Sequence, residues 1–250
     1  MRLMLRSLLA AALAFCFLPS RACRGQDVEE LLQQATQAGQ RGDHERAIAK
    51  LSEAINLSPT TPIAWYQRGR EQFKAGKIAE SVADFDKYVQ LVPQAENRQW
   101  ERGISYYYAG QFEKGAKQFE DYQKFHDQDV ENSVWRYLCI ARTSGVEKAR
   151  SSLLPITSDP RVPMMPIYGL YQGKLKPEDV LAAANSSPPN RELHNQRLFY
   201  ANLYIGLWYE AAGQPDEAKK HILEAEKHKI AHYMWDVAHV HAERLRAAEK

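Results

Sequence analysis

The chain has 250 residues and a formal net charge of +2, with 26% charged and 44% apolar residues, as is usual for a soluble globular protein. Removal of an N-terminal leader that ends at Ala22 takes away three arginines and no acid, which leaves 30 basic and 31 acidic residues and a net charge of −1. This balance excludes nucleic acid as the main partner, because proteins that bind nucleic acid carry a basic surface. The three cysteines are too few for a disulfide framework, and Cys139, between Leu138 and Ile140, is predicted to be a small buried residue.

Residues 1–25 are predicted to be a cleaved export signal. Two arginines precede an uncharged run, residues 7–18, and Pro19 with small residues follows it. The run is too short to span a bilayer, but it has the length of a signal-peptide core. We therefore expect an exported protein of the periplasm or the outer membrane, or otherwise a secreted one.

Cys23 leaves two interpretations open. Ala22 suits the position before a lipidated bacterial cysteine, whereas Ser20 and Arg21 differ from the usual residues before such a site. In the first interpretation a lipid on Cys23 anchors the mature chain to a membrane. In the second, cleavage after Ala22 or Gly25 leaves an unanchored protein.

A helix–turn–helix pattern recurs along the chain with a period of 34 residues. Gly42, Gly76 and Gly110 mark the turns, where glycine accepts the left-handed conformation that ends a helix. Other positions with this spacing are Gly69 and Gly103; Leu51, Phe85 and Phe119; Pro59 and Pro93; and the small residues Ala47, Ser81 and Gly115. The pattern resembles the tetratricopeptide repeat, so we predict an all-α, tetratricopeptide-type solenoid of helical hairpins.

Residues 26–250 are predicted to form this solenoid without a foreign domain. Gly110 and Gly213 lie 103 residues apart, which is three periods plus one residue, so the irregular segment between them corresponds to about two repeats. A final helix covers the last repeat, which has no further neighbour. The predicted units are repeats near 28–61, 62–95 and 96–129, a degenerate segment at 130–190, a repeat at 199–230 and a capping helix at 231–248.

No catalytic motif stands out in the chain. It contains no phosphate-binding glycine loop, no Gly-x-Ser-x-Gly and no His-Glu-x-x-His, so we predict a non-enzyme without a cofactor or catalytic residues. Histidines cluster late in the chain, and a solvated helical surface is the favoured interpretation over a metal site. These histidines are His221, His228, His232, His239 and His241.

The first helices of the second and third repeats are predicted to present a ligand-binding groove. In a tetratricopeptide array these helices line the concave face, and aromatic side chains beside Arg and Lys suit a peptide ligand. The alternative is that the superhelix or a partner subunit covers them. The predicted groove residues are Tyr66, Arg70, Phe73, Lys74, Trp100, Ile104, Tyr107 and Tyr108.

Three segments of the second half resemble the NlpI-type bacterial lipoproteins: residues 134–138 (Val-Trp-Arg-Tyr-Leu), 166–175 (Pro-Ile-Tyr-Gly-Leu-Tyr-Gln-Gly-Lys-Leu) and 198–209, which ends Tyr-Ile-Gly-Leu-Trp-Tyr. The resemblance implies a homodimeric periplasmic adaptor with a lipid anchor in the outer membrane, where Cys23 would be the lipidated residue. It also implies that the adaptor holds a tail-specific protease and cell-wall hydrolases together.

The predicted function is therefore that of a non-catalytic, exported scaffold that binds proteins or peptides. On the family resemblance it would couple a periplasmic protease to cell-wall hydrolases. The alternative is a peptide-binding co-chaperone or secretion adaptor that uses the concave groove.

Overall fold

A computed structural model describes residues 21–248, with side chains from residue 25 onward. Most of the predicted leader, and the side chain of Cys23, lie outside this described part. The described residues contain α-helices and one 3-10 helix (Pro93–Arg98), with no strand. The α-helices are α1 (Arg21–Gln40), α2 (His44–Leu57), α3 (Pro62–Lys74), α4 (Ile78–Leu91), α5 (Trp100–Tyr108), α6 (Phe112–Gln123), α7 (Val130–Ser144), α8 (Val146–Ser151), α9 (Met164–Tyr171), α10 (Pro177–Asn185), α11 (Arg191–Ala211), α12 (Pro215–Lys227) and α13 (Tyr233–Ala247).

Consecutive helices pack in pairs, from α1 with α2 to α11 with α12, and each pair stacks on the next. The predicted all-α solenoid of helical hairpins is therefore confirmed. The turn glycines Gly42, Gly76, Gly110 and Gly213 have φ angles between +72° and +77°. Only glycine adopts this backbone region without strain. The 34-residue spacing of Gly42, Gly76 and Gly110 in the sequence is therefore the spacing of turns in the structure. No helix between residues 21 and 248 combines the length and apolar character needed to cross a membrane.

The degenerate segment, residues 130–190, contains two hairpins. Helices α7 and α8 form the first of them, and α9 and α10 form the second. Residues 152–163 join the two hairpins without a regular helix. The next helix, α11, begins at Arg191, eight residues before the predicted start at 199.

Two glycines allow adjacent helices to approach closely in the third repeat. A Cβ atom at Gly103 would lie 2.7 Å from Phe119 Cζ, and one at Gly115 would lie 2.8 Å from Cys139 Sγ. Cys139 is buried, as predicted, and burial raises the pKa of its thiol. The small residues at these repeat positions thus set the distance between helices.

We expect Gly103→Ala to lower the free energy of unfolding by about 1–3 kcal/mol, because the new Cβ would lie 2.7 Å from Cζ of the buried Phe119 ring, which must shift against Trp135. The matched control is Gly69→Ala at the same repeat position, where the new Cβ would keep 3.4 Å from its neighbours. This control should be neutral or gain up to about 1 kcal/mol from the higher helix propensity of alanine. Urea denaturation followed by circular dichroism measures the free energy of unfolding of both variants. Equal changes in the two variants would contradict the role of Gly103 in helix spacing.

The C-terminal helix α13 packs on α12, as a capping helix does, and it also reaches α3. The rings of Tyr233 and Phe73 lie 5.6 Å apart. The hydroxyl of Tyr108 lies 2.9 Å from His241 Nδ1, and Arg244 Nη1 donates to the Tyr108 carbonyl oxygen at 3.0 Å. Helix α13 therefore crosses the inner face that the first helices α3 and α5 form.

Candidate functional site

Four of the eight predicted groove residues belong to the hydrophobic core, and α13 contributes to their burial. Tyr108 contacts His241 of α13, and Phe73 contacts both Tyr108 and Tyr233. The prediction of an open groove at these positions is corrected, because a segment of the same chain covers them. The structure supports the alternative interpretation, in which the superhelix itself covers the aromatic side chains. The buried four are Phe73, Ile104, Tyr107 and Tyr108.

Tyr66 and Arg70, in α3, are half-buried and have partners within the chain. Arg70 Nε lies 3.1 Å from Glu101 Oε1, and the Arg70 guanidinium lies over the Tyr233 ring at 5.0 Å. Burial raises the pKa of Glu101, while the charge of Arg70 acts in the opposite direction. Burial, followed by the charge of Glu101, also raises the pKa of Tyr66. This part of the predicted groove is an internal polar contact between α3, α5 and α13.

Lys74 and Trp100 lie at the two sides of α13. Lys74 Nζ is 2.9 Å from Glu71 Oε1 and 3.8 Å from Asp236 Oδ2, so it links α3 to α13. Trp100 packs edge-on against Tyr233 at 5.6 Å and faces the His232 ring in a parallel arrangement at 6.1 Å. Trp100 is the one predicted groove residue that also lines the pocket described next.

A pocket of about 240 Å³ opens beside the beginning of α13. We call it the α7 pocket, because Asn132 and Trp135 of α7 lie in its wall. Helices α5 and α6, Arg161 in the loop before α9, and His232 before α13 complete the wall. Its aromatic lining comprises Trp100, Phe119, Tyr122 and Trp135.

Acidic side chains crowd one side of the α7 pocket around a single arginine. The Arg161 guanidinium donates to Asp129 at 2.7 Å, to Glu131 at 2.6 Å and to Asp159 at 2.6 Å. Asp129 is also the N-cap of α7, and Glu131 Oε1 accepts a hydrogen bond from the Tyr204 hydroxyl at 2.6 Å. Three carboxyl groups thus share one guanidinium, and the cluster keeps a surplus of negative charge whenever they are ionised.

The surroundings raise one pKa value in this cluster and lower two others. Burial, followed by the charge of Asp129, raises the pKa of Glu131 to about 7, although Arg161 acts in the opposite direction. Burial alone would raise the pKa of Asp159, but hydrogen bonds from Arg161 outweigh it and lower that pKa. Burial, with the charge of Arg161 next, lowers the pKa of His232. At neutral pH the histidine beside the pocket is therefore mainly uncharged.

Two residues that line the pocket each contain a buried polar atom with no hydrogen-bond partner within the described part of the chain. Asn132, 3% exposed, donates from Nδ2 to Gln123 Oε1, but its Oδ1 is one of these two atoms. The other is the indole Nε1–H of Trp135, which is 2% exposed. An unpaired buried polar atom costs about 1–3 kcal/mol. Both atoms are closed to solvent, so they belong to the interior behind the pocket wall.

Two of the five late histidines do not lie on the predicted solvated surface, whereas His232 is exposed. His221 is buried and lies 2.8 Å from Asn202 Oδ1, and His241 is buried beneath Tyr108. Within residues 21–248, one group has metal-ligand spacing: Glu226, His239 and Glu243. The Arg246 guanidinium donates to both carboxylates of this group. The arrangement is thus an ion-pair network around an arginine.

Sequence reasoning missed the polar side of the α7 pocket. Asp129 and Glu131 match the sequence pattern of a helix start, where acidic side chains interact favourably with the positive end of the helix dipole. The stretch around Arg161 is rich in proline and was interpreted only as a loop between helices. The available signal was one arginine inside that loop, 30 and 32 residues after two acids that begin a helix.

Comparisons with known proteins place the fold but no family. No family model matches the chain, and no curated protein matches it. Two solved structures of MamA, "MamA 41-end from Desulfovibrio magneticus RS-1" and "MamA RS-1 ArsTM double mutant", align over 82% of this chain and 96% of theirs, at 14% identity and a TM-score of 0.50. A third, the TPR protein TTC0263 from Thermus thermophilus, covers 89% of this chain and 98% of its own at 16% identity and a TM-score of 0.45. At such identities the similarity concerns the fold alone. The 34-residue period and the paired helices themselves give this chain its tetratricopeptide-type solenoid fold.

Proposed function

We propose that this chain is a non-catalytic scaffold that binds other proteins through the face containing the α7 pocket. The observation that carries the proposal is the combination of an open pocket with exposed aromatic side chains beside it. Helix α13 covers Phe73 and Tyr108 of the inner face, and the α7 pocket stays open beside the beginning of α13. Solenoids present large surfaces of this kind for protein binding.

The mouth of the pocket has the composition of a protein-binding surface. Tyr122 lines the pocket, and its ring lies 5.8 Å from that of Phe125, which is 47% exposed. The Arg98 guanidinium lies 4.4 Å from the centre of the Phe125 ring. The side chain of His126 is 53% exposed next to these rings. Aromatic and arginine side chains are enriched at protein interfaces and carry much of their binding energy.

The finer part of the proposal rests on the sequence. The predicted leader supports export to the periplasm, and Cys23 supplies a residue for a lipid anchor in the outer membrane. The resemblance to NlpI-type lipoproteins supports a homodimer whose partners are a periplasmic protease and cell-wall hydrolases.

The alternative, a co-chaperone or secretion adaptor that binds peptides along the whole concave groove, places its ligand on different residues. It would require α13 to leave Phe73 and Tyr108, which it now covers. A peptide bound in that way would contact α3, whereas a partner at the α7 pocket would contact α6 and α7. The two functions can therefore be separated by the position of contact.

Site-specific photo-crosslinking of the full-length, exported protein tests the proposed binding face. A photoreactive amino acid replaces His126 at the pocket mouth or, as the control, Lys227, an exposed residue of α12 outside the pocket. We expect crosslinked adducts with a partner protein from position 126 and none from position 227. A third position, Lys74 beside α13, reports on the whole-groove alternative.

Mass spectrometry of the adducts and of the mature N-terminus completes this test. A protease or wall hydrolase crosslinked at position 126, with an acylated Cys23, supports both the scaffold and its finer function. A free N-terminus near Gly25 would contradict the anchor, and cross-linked dimers of the chain would support the homodimer. Adducts that form only at position 74, or equally at 126 and 227, would contradict the proposed binding face.

A further inference from the structure

We propose that the α7 pocket receives an arginine side chain from an extended segment of the partner protein. This inference rests on the proposed scaffold function and names the chemistry of its partner. It depends on three properties of the pocket: surplus negative charge, aromatic walls and volume.

The charge of the pocket calls for a cation. Asp129, Glu131 and Asp159 surround one guanidinium, that of Arg161, whose side chain is 43% exposed. Among the described residues no lysine lines the pocket, and burial together with Arg161 keeps the pKa of His232 low. A second guanidinium beside these carboxylates would therefore meet a local field of the opposite sign.

The walls and volume of the pocket fit a planar side chain. Trp100 and Tyr122 present aromatic surfaces, on which a guanidinium stacks more favourably than an ammonium group. The volume of about 240 Å³ is below the roughly 300–1,000 Å³ of pockets that enclose a drug-sized ligand or cofactor. A single side chain is therefore a better match than a whole small molecule.

The test uses two capped heptapeptides that differ at the central residue, which is arginine in one and citrulline in the other. Citrulline is the neutral isostere of arginine, so the pair isolates the charge. The readout is the Trp135 indole resonance in ¹H–¹⁵N spectra of the full chain, assigned with a Trp135→Phe variant. We expect a saturable shift with the arginine peptide and at least tenfold weaker binding of the citrulline peptide.

A variant of the protein provides the matching control. The binding measurements are made at pH 8, above the Glu131 pKa of about 7, where Glu131→Gln keeps an acceptor for the Tyr204 hydroxyl and removes one negative charge from the pocket. It should bind the arginine peptide at least threefold more weakly while its spectrum stays that of a folded protein. Glu243→Gln, which removes a charge from the Arg246 network instead, should leave binding unchanged.

Two outcomes would overturn the inference: equal binding of the two peptides, or no shift of the Trp135 resonance with either. A shift with a free polyamine but not with the arginine peptide would also overturn it, because the occupant would then not be a peptide. Failure here is distinguishable from failure of the scaffold function. Partner adducts at position 126 without arginine-peptide binding would leave the scaffold standing and remove only this inference.

Discussion

Tyr233→Ala is expected to lower the free energy of unfolding by about 3–5 kcal/mol, the range for removing a large buried aromatic ring. The side chain is 4% exposed and lies at the centre of the contact between α13 and the first helices. Its ring contacts Phe73 and Trp100, each at 5.6 Å, and the Arg70 guanidinium at 5.0 Å. Without the ring, α13 loses its main apolar contact with α3. Urea denaturation followed by circular dichroism measures the loss.

The matched control is Tyr233→Phe. The Tyr233 hydroxyl is buried and has no hydrogen-bond partner among the residues that the structure describes, so its removal also removes an unpaired polar group. The free energy of unfolding should stay the same or rise by about 1 kcal/mol. A loss of several kcal/mol in Tyr233→Phe would contradict this account, because it would give the hydroxyl a role that the structure does not show.

Tyr233→Ala also has an expected effect on the groove. With α13 undocked, the aromatic side chains of α3 and α5 face solvent, and a hydrophobic dye should bind the folded variant more strongly than the wild type. The Tyr233→Phe variant should show no such increase. Equal dye binding by Tyr233→Ala and the wild type, together with unchanged stability, would mean that α13 does not cover this face in solution.

Arg161→Gln is the second change with a large expected effect, a loss of about 3 kcal/mol at pH 8. Removing one partner of a buried ion pair costs about 3–5 kcal/mol, and we take the lower end because 43% of the Arg161 side chain meets solvent. The change leaves Asp129, Glu131 and Asp159 close together without a cation. Their mutual repulsion, and not a lost apolar contact, is the cause of the loss.

The pH dependence of stability follows from Glu131. Its pKa in the folded state, about 7, is above its ordinary value of 4.5, so the folded chain binds this proton more tightly than the unfolded chain. The stabilisation that comes from protonated Glu131 is fully present below pH 4.5 and is lost as the pH rises through 7. Arg161→Gln removes the cation that lowers the pKa of Glu131. The loss of stability that this variant shows relative to the wild type should therefore be smaller at pH 5 than at pH 8.

Glu131→Gln is the control for this pH dependence. Titration of His232 and His241, whose pKa values burial lowers, contributes to both proteins and cancels in the comparison. The wild type should therefore lose stability relative to Glu131→Gln between pH 5 and pH 8. Parallel stability curves for the two proteins across this range would show that Glu131 is not a buried acid in the folded state.

The hairpins of the fold were predictable because their signals are local. Gly42, Gly76 and Gly110 each occupy a turn with positive φ, a conformation that the residue type itself indicates. Small residues such as Gly115 mark where helices approach, and they recur at the same period. Each repeat contacts mainly its neighbours, so a pattern within about 34 residues contains most of the information.

The position of α13 could not be predicted in the same way. Its apolar residues indicate a helix with a buried face, but nothing local specifies which surface that face meets. The contact of Tyr233 with Phe73 depends on the curvature that the intervening repeats accumulate. As a result, Phe73 and Tyr108 were assigned to an open groove, although α13 buries them.

The polar side of the candidate site was hidden for a related reason. Arg161 lies in a loop that the sequence marks only by its prolines, and its partners Asp129 and Glu131 belong to another helix. Neither the loop nor the helix start indicates an ion cluster when considered alone. Trp100, in contrast, could be predicted at the site because its place in the repeat puts it on the inner face.

The crossing of α13 over the first helices changes how this solenoid is expected to fold. In an open array each repeat gains its stability from its neighbours, and short-range contacts allow rapid folding that can begin anywhere. Here the contact of Tyr108 with His241 spans 133 residues, and that of Tyr108 with Arg244 spans 136. Such contacts raise the contact order and couple the second and third repeats to α13 in one cooperative unit. During synthesis, the inner face that α3 and α5 form stays uncovered until α13 has left the ribosome, so a segment made later completes repeats made earlier.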